Sequence, residues 1–316
     1  MLKYYYKKLS VLQTKKVTNM NIKSYYKKEI KKVASKLNKE ECDIRFVVVA
    51  DSHLDNSISD TLKNISETDD LAPFDFMLHL GDFLNGNIPK EYTKILLKQQ
   101  ANIFSKAING EFFPTPGNHD GYTDFSTNDM FIDEIWEECT GNKPYYFSDF
   151  GDFRIISINS FDYEFTADGK YKKIYKISDK QIEWLRKEAL DTDKTIIFLS
   201  HASPLNSLAD MSVTPVIQAI LEAKEEKGFE VAAWFIGHYH GDCILKAHGI
   251  NFILVGSETA YVPQLWGFTD KEPEVYPERK LGTVSEDLWD AVTINRKTRT
   301  IKLFRFGAGK DREVKY

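Results

Sequence analysis

The sequence predicts an α/β layered domain, and three features predict it. Short apolar runs alternate with stretches that carry apolar residues at helical spacing. Several of the runs are near-continuously apolar, as in strands buried on both faces. The last fifth of the chain turns strand-rich and closes on a hairpin.

The elements follow in order. Tyr26, Ile30, Val33 and Leu37 recur at helical spacing among lysines, an amphipathic helix whose apolar stripe packs on the body. Residues 44–50 form the first strand, polar residues 56–72 a helix, and 74–80 the second strand. A helix over about 90–107 leads to a short strand at 112–115. Residues 121–144 are a polar excursion with a helical patch around Phe131, Ile135 and Trp136. A strand pair is expected at 145–148 and 153–159. Ser178 with Gln181 is a capping box opening a helix that turns Ile182, Leu185 and Leu190 inward. Strands at 195–199 and 231–236 flank another helix, and 252–255 is a further strand. Residues 291–294 and 300–306 flank the turn Asn295-Arg296-Lys297-Thr298.

The 316 residues can bury a full core, and a composition of 42% hydrophobic and 28% charged residues is ordinary for a globular protein. No apolar stretch is long enough to span a bilayer, and the basic N-terminus lacks the apolar segment of a secretory signal. A cytoplasmic protein is expected, or one carried by a phage or surface assembly. Cys42, Cys139 and Cys243 are odd in number and form no C-x-x-C pair, which argues against a disulfide framework or a cysteine zinc site. Residues 1–41 hold twelve lysines against three glutamates, a net of +9, which leaves −14 for the rest of a chain whose total is −5. This basic arm could bind nucleic acid or an anionic surface, but the preferred readings are that it folds back onto the acidic body or is simply a solvated tail.

Function is carried by five short stretches: Asp51-Ser52-His53, Gly81-Asp82, Gly117-Asn118-His119-Asp120, His201, and Gly237-His238-Tyr239-His240. Each follows or ends an apolar strand-like run. Carboxylate, amide oxygen and imidazole are the ligands of hard to borderline divalent cations, so the set suits two adjacent ions. If the first strand continues through them, Asp51 and His53 share a face and reach one ion. The same alternation applies to His238 and His240, although a loop there could aim them at neighbouring ions. Asp82 can bridge the two. Paired ions clamp the attacking and leaving oxygens of a phosphoryl transfer and acidify a bridging water to hydroxide. His119 suits the general acid that protonates the leaving alkoxide. Asp120 either assists His119 in catalysis or caps a helix. His79 and His248 fall outside the pattern, and Tyr122, Phe125, Tyr145 and Tyr146 are first of all packing residues.

Asp-x-His, Gly-Asp, Gly-Asn-His-Asp, His and Gly-His-x-His, in this order over about residues 44–260, resemble the calcineurin-like metallophosphoesterase superfamily. The resemblance implies a four-layer α/β/β/α sandwich of two mixed sheets with the site at strand ends. It also implies one ion held by Asp51, His53, Asp82 and His240, and another held by Asp82, Asn118, His201 and His238. His119 takes the catalytic-acid position, and Asn118 and His119 face substrate; Asn85, read from the residues themselves, either contacts substrate or only shapes the turn. The ions could be manganese, iron, zinc or a mixed pair. Protein phosphatases of the superfamily carry Gly-Asp-x-x-Asp-Arg-Gly; here Gly81-Asp82-Phe83-Leu84-Asn85-Gly86 lacks both the second aspartate and the arginine. The spelling is closer to bacterial phosphodiesterases of the cyclic-nucleotide type. The segment Arg305 to Arg312 is similar to the ends of metallophosphoesterases from Gram-positive bacteria and their phages, and reads as a surface loop after the hairpin.

The expected organisation is a basic helical extension over 1–42, a catalytic core over 43–260, and a C-terminal extension over 261–316 whose hairpin completes the sheet. The expected activity is hydrolysis of a phosphate ester, foremost a diester. The alternatives are a monoesterase, a nuclease using the basic arm, or a metal-binding scaffold of the same fold without activity.

Overall fold

The computed structural model describes residues 22–54, 58–86, 88–121, 132–161, 163–165, 171–173, 177–258 and 271–316. Six strands form the first sheet: β1 (Ile44–Val49), β2 (Phe76–His79), β3 (Glu111–Pro114), β12 (Leu288–Asn295), β13 (Thr300–Gly307) and β14 (Arg312–Lys315). Their order is β14-β13-β12-β1-β2-β3, with β1, β2 and β3 parallel and the C-terminal strands antiparallel. The second sheet holds β4 (Tyr146–Phe150), β5 (Phe153–Ile158), β8 (Thr195–Ser200), β9 (Val231–Ile236), β10 (Cys243–Ala247) and β11 (Ile250–Leu254), in the order β10-β11-β9-β8-β5-β4. A small hairpin, β6 (Tyr163–Phe165) with β7 (Tyr171–Lys173), stands apart from both sheets.

Alternation along the strands builds the layers. Along β1 and the residue after it, Phe46, Val48 and Ala50 face the second sheet, where they meet Ile197, Leu199, Ala233, Phe235 and Ile253. Val47 and Val49, one residue out of phase, face the other way and pack under helices. These helices are α1 (Ser24–Leu37), α2 (Ile58–Leu71), α3 (Lys90–Phe104) and α4 (Ile132–Thr140). On the outer face of the second sheet, Phe198, Trp234 and Ile236 pack against Leu185, Ile217 and Ile220 from α5 (Asp179–Trp184), its π-helical continuation Leu185–Ala189, and α6 (Pro215–Lys227). The result is the expected α/β/β/α sandwich. Removing each such buried aliphatic or aromatic side chain from water contributes about 1.5–3 kcal/mol, which makes three stacked cores ample support for a strained site.

Several local readings change. The N-terminal stripe is helical as expected, with Tyr26, Ile30, Val33 and Leu37 buried and Tyr26 5.8 Å from the ring of Phe306. Lys23 pairs with Asp60 and Glu286, and Lys36 with Asp311, so the described part of the basic arm does lie on acidic body residues. Ser178 accepts from the Gln181 amide, but the Gln181 side chain reaches to the backbone of Asn159 and ties α5 to the end of β5. The C-terminal segment is not a surface loop. β13 continues through Arg305, which is buried, and a further strand, β14, follows it. Residues 1–21, Phe131 and the aromatics Tyr122 and Phe125 lie outside the described residues.

Candidate metal centre

All five stretches emerge at carboxyl ends of parallel strands: Asp51 after β1, Asp82 after β2, Asn118 after β3, His201 after β8 and His238 after β9. The two sheets bring these ends to one edge, where the His238 amide donates to Asp51 Oδ2 at 3.0 Å. The expected alternation does not aim the side chains, because β1 stops at Val49. Instead the backbone enters the left-handed region at Asp51 (φ 56°), His53 (47°), Asp82 (56°), His238 (66°) and His240 (54°). Each such non-glycine residue costs on the order of 1–3 kcal/mol and persists only where its surroundings over-determine it.

The surroundings do so here. Amides of Asp51, His53 and Leu54 donate to the carbonyls of Gly81, Asp82 and Phe83 at 3.0–3.1 Å, locking the two loops together. The Asp82 amide donates to Asp120 Oδ2 (2.9 Å), and Asp82 Oδ1 accepts from the His119 amide (2.8 Å). Gly117 is needed for that approach, since a Cβ there would lie 2.2 Å from Asp82 Oδ1.

The side chains form two groups. Ligand atoms of Asp51, His53 and His240 lie within 4.8 Å of one another, as do those of Asp82, His201 and His238. In the first, His53 Nε2 and His240 Nε2 are 3.2 Å apart and His240 Nε2 is 3.3 Å from Asp51 Oδ1. In the second, His201 Nε2 is 3.1 Å from Asp82 Oδ2 and 3.1 Å from Asn118 Oδ1. Asp82 Oδ2 also lies 3.8 Å from His53 Nε2, so this carboxylate stands between the groups. His53 Nδ1 donates to Leu84 O (3.0 Å) and His201 Nδ1 to Leu80 O (2.6 Å). A carbonyl can only accept, so each Nδ1 carries a proton and both Nε2 atoms face inward, the side from which a divalent ion would be bound. Two buried carboxylates, one amide oxygen and converging imidazole nitrogens fit two divalent ions.

Electrostatics agree. Burial opposes a charge on His201, but Asp82 and Asp51 outweigh it and push its pKa up to about 9. His240 is raised likewise, against burial, chiefly by Asp51. His238 goes the other way, to about 4, through burial and the neighbouring His201. Asp51 and Asp82 stay ionised despite burial, because the histidines hold both below the usual range. Without ions, the pair of carboxylates recruits protons as substitute cations. A consequence follows for metal-stripped protein. His201 and His240 are raised in the fold, so their contribution to stability is complete below about 6.5 and is lost as pH rises through their folded values, about 9 for His201. The melting temperature of stripped protein should therefore fall between these pH values, and Mn²⁺ should flatten the decline. A stripped protein with a flat profile would contradict this account.

His119 belongs to neither group. Its Nδ1 donates to Asn85 O (2.9 Å), its Nε2 is 3.9 Å from Asp82 Oδ2, and its side chain is 38% exposed. Gly86 lies directly beneath the ring: at φ 67°, a Cβ would stand 2.4 Å from Nδ1. Asn85, assigned to substrate from the sequence, is exposed beside the site, and it is its backbone carbonyl that orients His119. Asp120, assigned with His119 to catalysis, is fully buried. It engages both carboxylate oxygens with the amides of Asp82, Gly117 and Leu84 at 2.8–3.1 Å. Burial and Asp82 push its carboxyl up to about 7, against these amide donors. This is the geometry of a residue that positions the Asp82 and Leu84 loop. His79 lies behind the site, neutral and bonded to Ser52 Oγ (2.6 Å), with burial lowering its pKa to about 3. His248 bonds Met211 O. Tyr145 packs on Trp184, and Tyr146 donates to Pro114 O.

Sequence reasoning missed the carbonyls of Leu80 and Leu84, which no side-chain pattern reports. It also missed a cleft of about 370 Å³ beside His238, whose walls include Ser160, Ile177, Ile182, Ser203, Leu205 and Tyr239.

A family model described as calcineurin-like phosphoesterase matches residues 44–242. Among solved structures, the chain is similar to a dimetal phosphatase from Danio rerio, at 12% identity and a TM-score of 0.55, covering 87% of this chain and 100% of that one. It also aligns with GAP50, the anchor in the inner membrane complex of Plasmodium, at 12% identity and a TM-score of 0.48, covering 83% and 84%. At such identities the first likeness shows the fold. No curated protein sequence matches the chain.

Proposed function

Because the chain belongs to the calcineurin-like phosphoesterase family, and so is a metal-dependent hydrolase of phosphate esters, we propose that it acts on phosphodiesters. The observation that carries the reading is the convergence of two Asp/His groups on the shared carboxylate of Asp82. In this reading Asp51, His53, Asp82 and His240 hold one ion, and Asp82, Asn118, His201 and His238 the other. When bound, two divalent ions supply Lewis-acid polarisation of the phosphoryl oxygens and acidify water. The chain's own residues do the rest. Nδ1–H of His53 and His201, held on carbonyls, keeps their Nε2 atoms pointed inward. Asp120 fixes the Asp82 loop. His119 Nε2, free of the ligand groups and 3.9 Å from Asp82 Oδ2, would act from the imidazolium: it gives its Nε2 proton to the leaving oxygen and becomes the neutral ring, with Nδ1–H kept on Asn85 O.

Two features favour the diester. Residues Asp82-Phe83-Leu84-Asn85-Gly86 carry no arginine to balance the second charge of a monoester dianion. The cleft beside His238 offers half-apolar room for a second organic group.

The test compares bis-p-nitrophenyl phosphate with p-nitrophenyl phosphate, on metal-stripped protein with and without Mn²⁺. Metal-dependent cleavage with the diester preferred is the expected result. A monoester preference would overturn the diester reading while leaving the metal site intact.

A further inference from the structure

We infer that the C-terminal arginines Arg305 and Arg279 are positioning residues for one ion of the pair, the one at Asp51, His53 and His240. This rests on the ligand sets proposed above. Arg305 lies on β13, and its side chain is 2% exposed. Nε and Nη2 donate to the two oxygens of Asp290 (both 2.9 Å), and Nη2 and Nη1 to those of Asp242 (2.8 and 2.5 Å). Nη1 also donates to Ala308 O (2.9 Å), so the planar fork is fully engaged. Gly309 makes room for it, since a Cβ there would lie 2.8 Å from Nη1.

The contacts run from this arginine back to the site. Asp242 is two residues beyond His240, and its Oδ1 accepts from the Gly256 amide (2.9 Å). The next residue, Ser257, donates its hydroxyl to Asp51 O (2.9 Å), and the Glu258 amide donates to Ala50 O (2.9 Å). Arg279 clamps this same loop, donating to the carbonyls of Ser257 (2.8 Å) and Glu258 (2.9 Å) as well as to Ser285 and Glu286. The circuit closes on β1, because Asp290 stands opposite Val48 in the sheet. Asp51 and His240, both in left-handed conformation, are thus held from the C-terminal side. Of the second group, Asp82 and His201 are held by different means, while the His238 amide rests on Asp51 Oδ2. Asp120 fixes Asp82, and Leu80 O fixes His201, all within residues 80–201.

A buried ion pair is weak evidence for stability, since its desolvation cost offsets much of its Coulomb gain. Fixing geometry is the better account of Arg305, Asp242 and Asp290 together. Contacts behind metal ligands typically change metal affinity about 10–100-fold when altered. Lysine keeps the charge of arginine but not the fork.

The experiment is calorimetric titration of the full, metal-stripped chain with Mn²⁺, in the wild type and in Arg305→Lys, Asp242→Asn and Arg279→Lys. His53→Ala and His201→Ala assign the two binding steps to the two groups. Melting curves of stripped protein establish which variants are folded, and any one folded variant decides. The expected result is a loss of about tenfold or more in affinity at the step that His53→Ala removes, with the other step changed less than about threefold. Equal weakening of both steps would overturn the inference. So would lower melting temperatures with both affinities unchanged, which is what a purely structural role produces. A wild type that binds no Mn²⁺ would instead refute the metal-site reading itself.

Discussion

Asp82→Asn should strip the protein of both ions and slow turnover at least about a thousandfold, a loss of roughly 4 kcal/mol in transition-state stabilisation. The substitution keeps the shape of the loop. Asparagine retains an Oδ1 that can accept from the His119 amide, as Asp82 does at 2.8 Å, and the Asp82 amide stays on Asp120 Oδ2. What disappears is the negative charge that stands 3.1 Å from His201 Nε2 and 3.8 Å from His53 Nε2, between the two ligand groups. A unit-charge pair about 4 Å apart is worth about 4 kcal/mol at an effective dielectric of 20, and a bridging carboxylate makes two such pairs at once. Asp51→Asn removes charge from one group only, so Asp82→Asn should cost more metal than Asp51→Asn does. The measurement is metal content per chain alongside Mn²⁺-supported hydrolysis of bis-p-nitrophenyl phosphate. An Asp82→Asn protein that keeps two ions and most of its rate would mean that this carboxylate does not bridge.

What the sequence disclosed and what it withheld divide along physical lines. The strands that carry the site were legible because burial on both faces leaves a run such as Phe46 to Ala50 apolar throughout. The stretches after them stood out because ligand chemistry admits few residue types. The aim of the side chains was not legible. Alternation would have aligned Asp51 and His53, yet the chain leaves β1 after Val49 and turns each residue by a left-handed backbone step. Such a step depends on amides held by Gly81, Asp82 and Phe83, contacts between loops about thirty residues apart. The backbone contacts of Asn85 and Asp120 escaped for a related reason: one meets His119 through its carbonyl, the other accepts from backbone amides, and neither leaves a mark in side-chain pattern. Arg305 fell at the end of the strand expected over 300–306 and at the start of a segment read as a surface loop, and neither reading disclosed its burial. Its partner Asp242 is 63 positions away, beside β10 of the second sheet, and only the packing of the two sheets brings it near.

His119→Ala should separate the two halves of the mechanism, with metal retained and turnover slowed according to the leaving group. The side chain belongs to neither ligand group, and the backbone contact of residue 119 with Asp82 Oδ1 survives truncation. Ion content should therefore match the wild type. The ring's Nδ1 proton is committed to Asn85 O, which leaves Nε2 as the atom able to deliver a proton, on an imidazole open to solvent and beside Asp82. A positioned general acid contributes about 10²–10⁴-fold where the leaving oxygen needs its proton. Alkyl phosphodiesters, whose alkoxide departs poorly unprotonated, should lose about that factor. Bis-p-nitrophenyl phosphate, whose nitrophenolate is a stable anion, should lose about tenfold or less. The ratio between the two substrates is the informative quantity, because a general disturbance of the site slows both alike. Equal losses on activated and unactivated esters would remove the general-acid role, and a fall in metal content would make His119 a ligand instead.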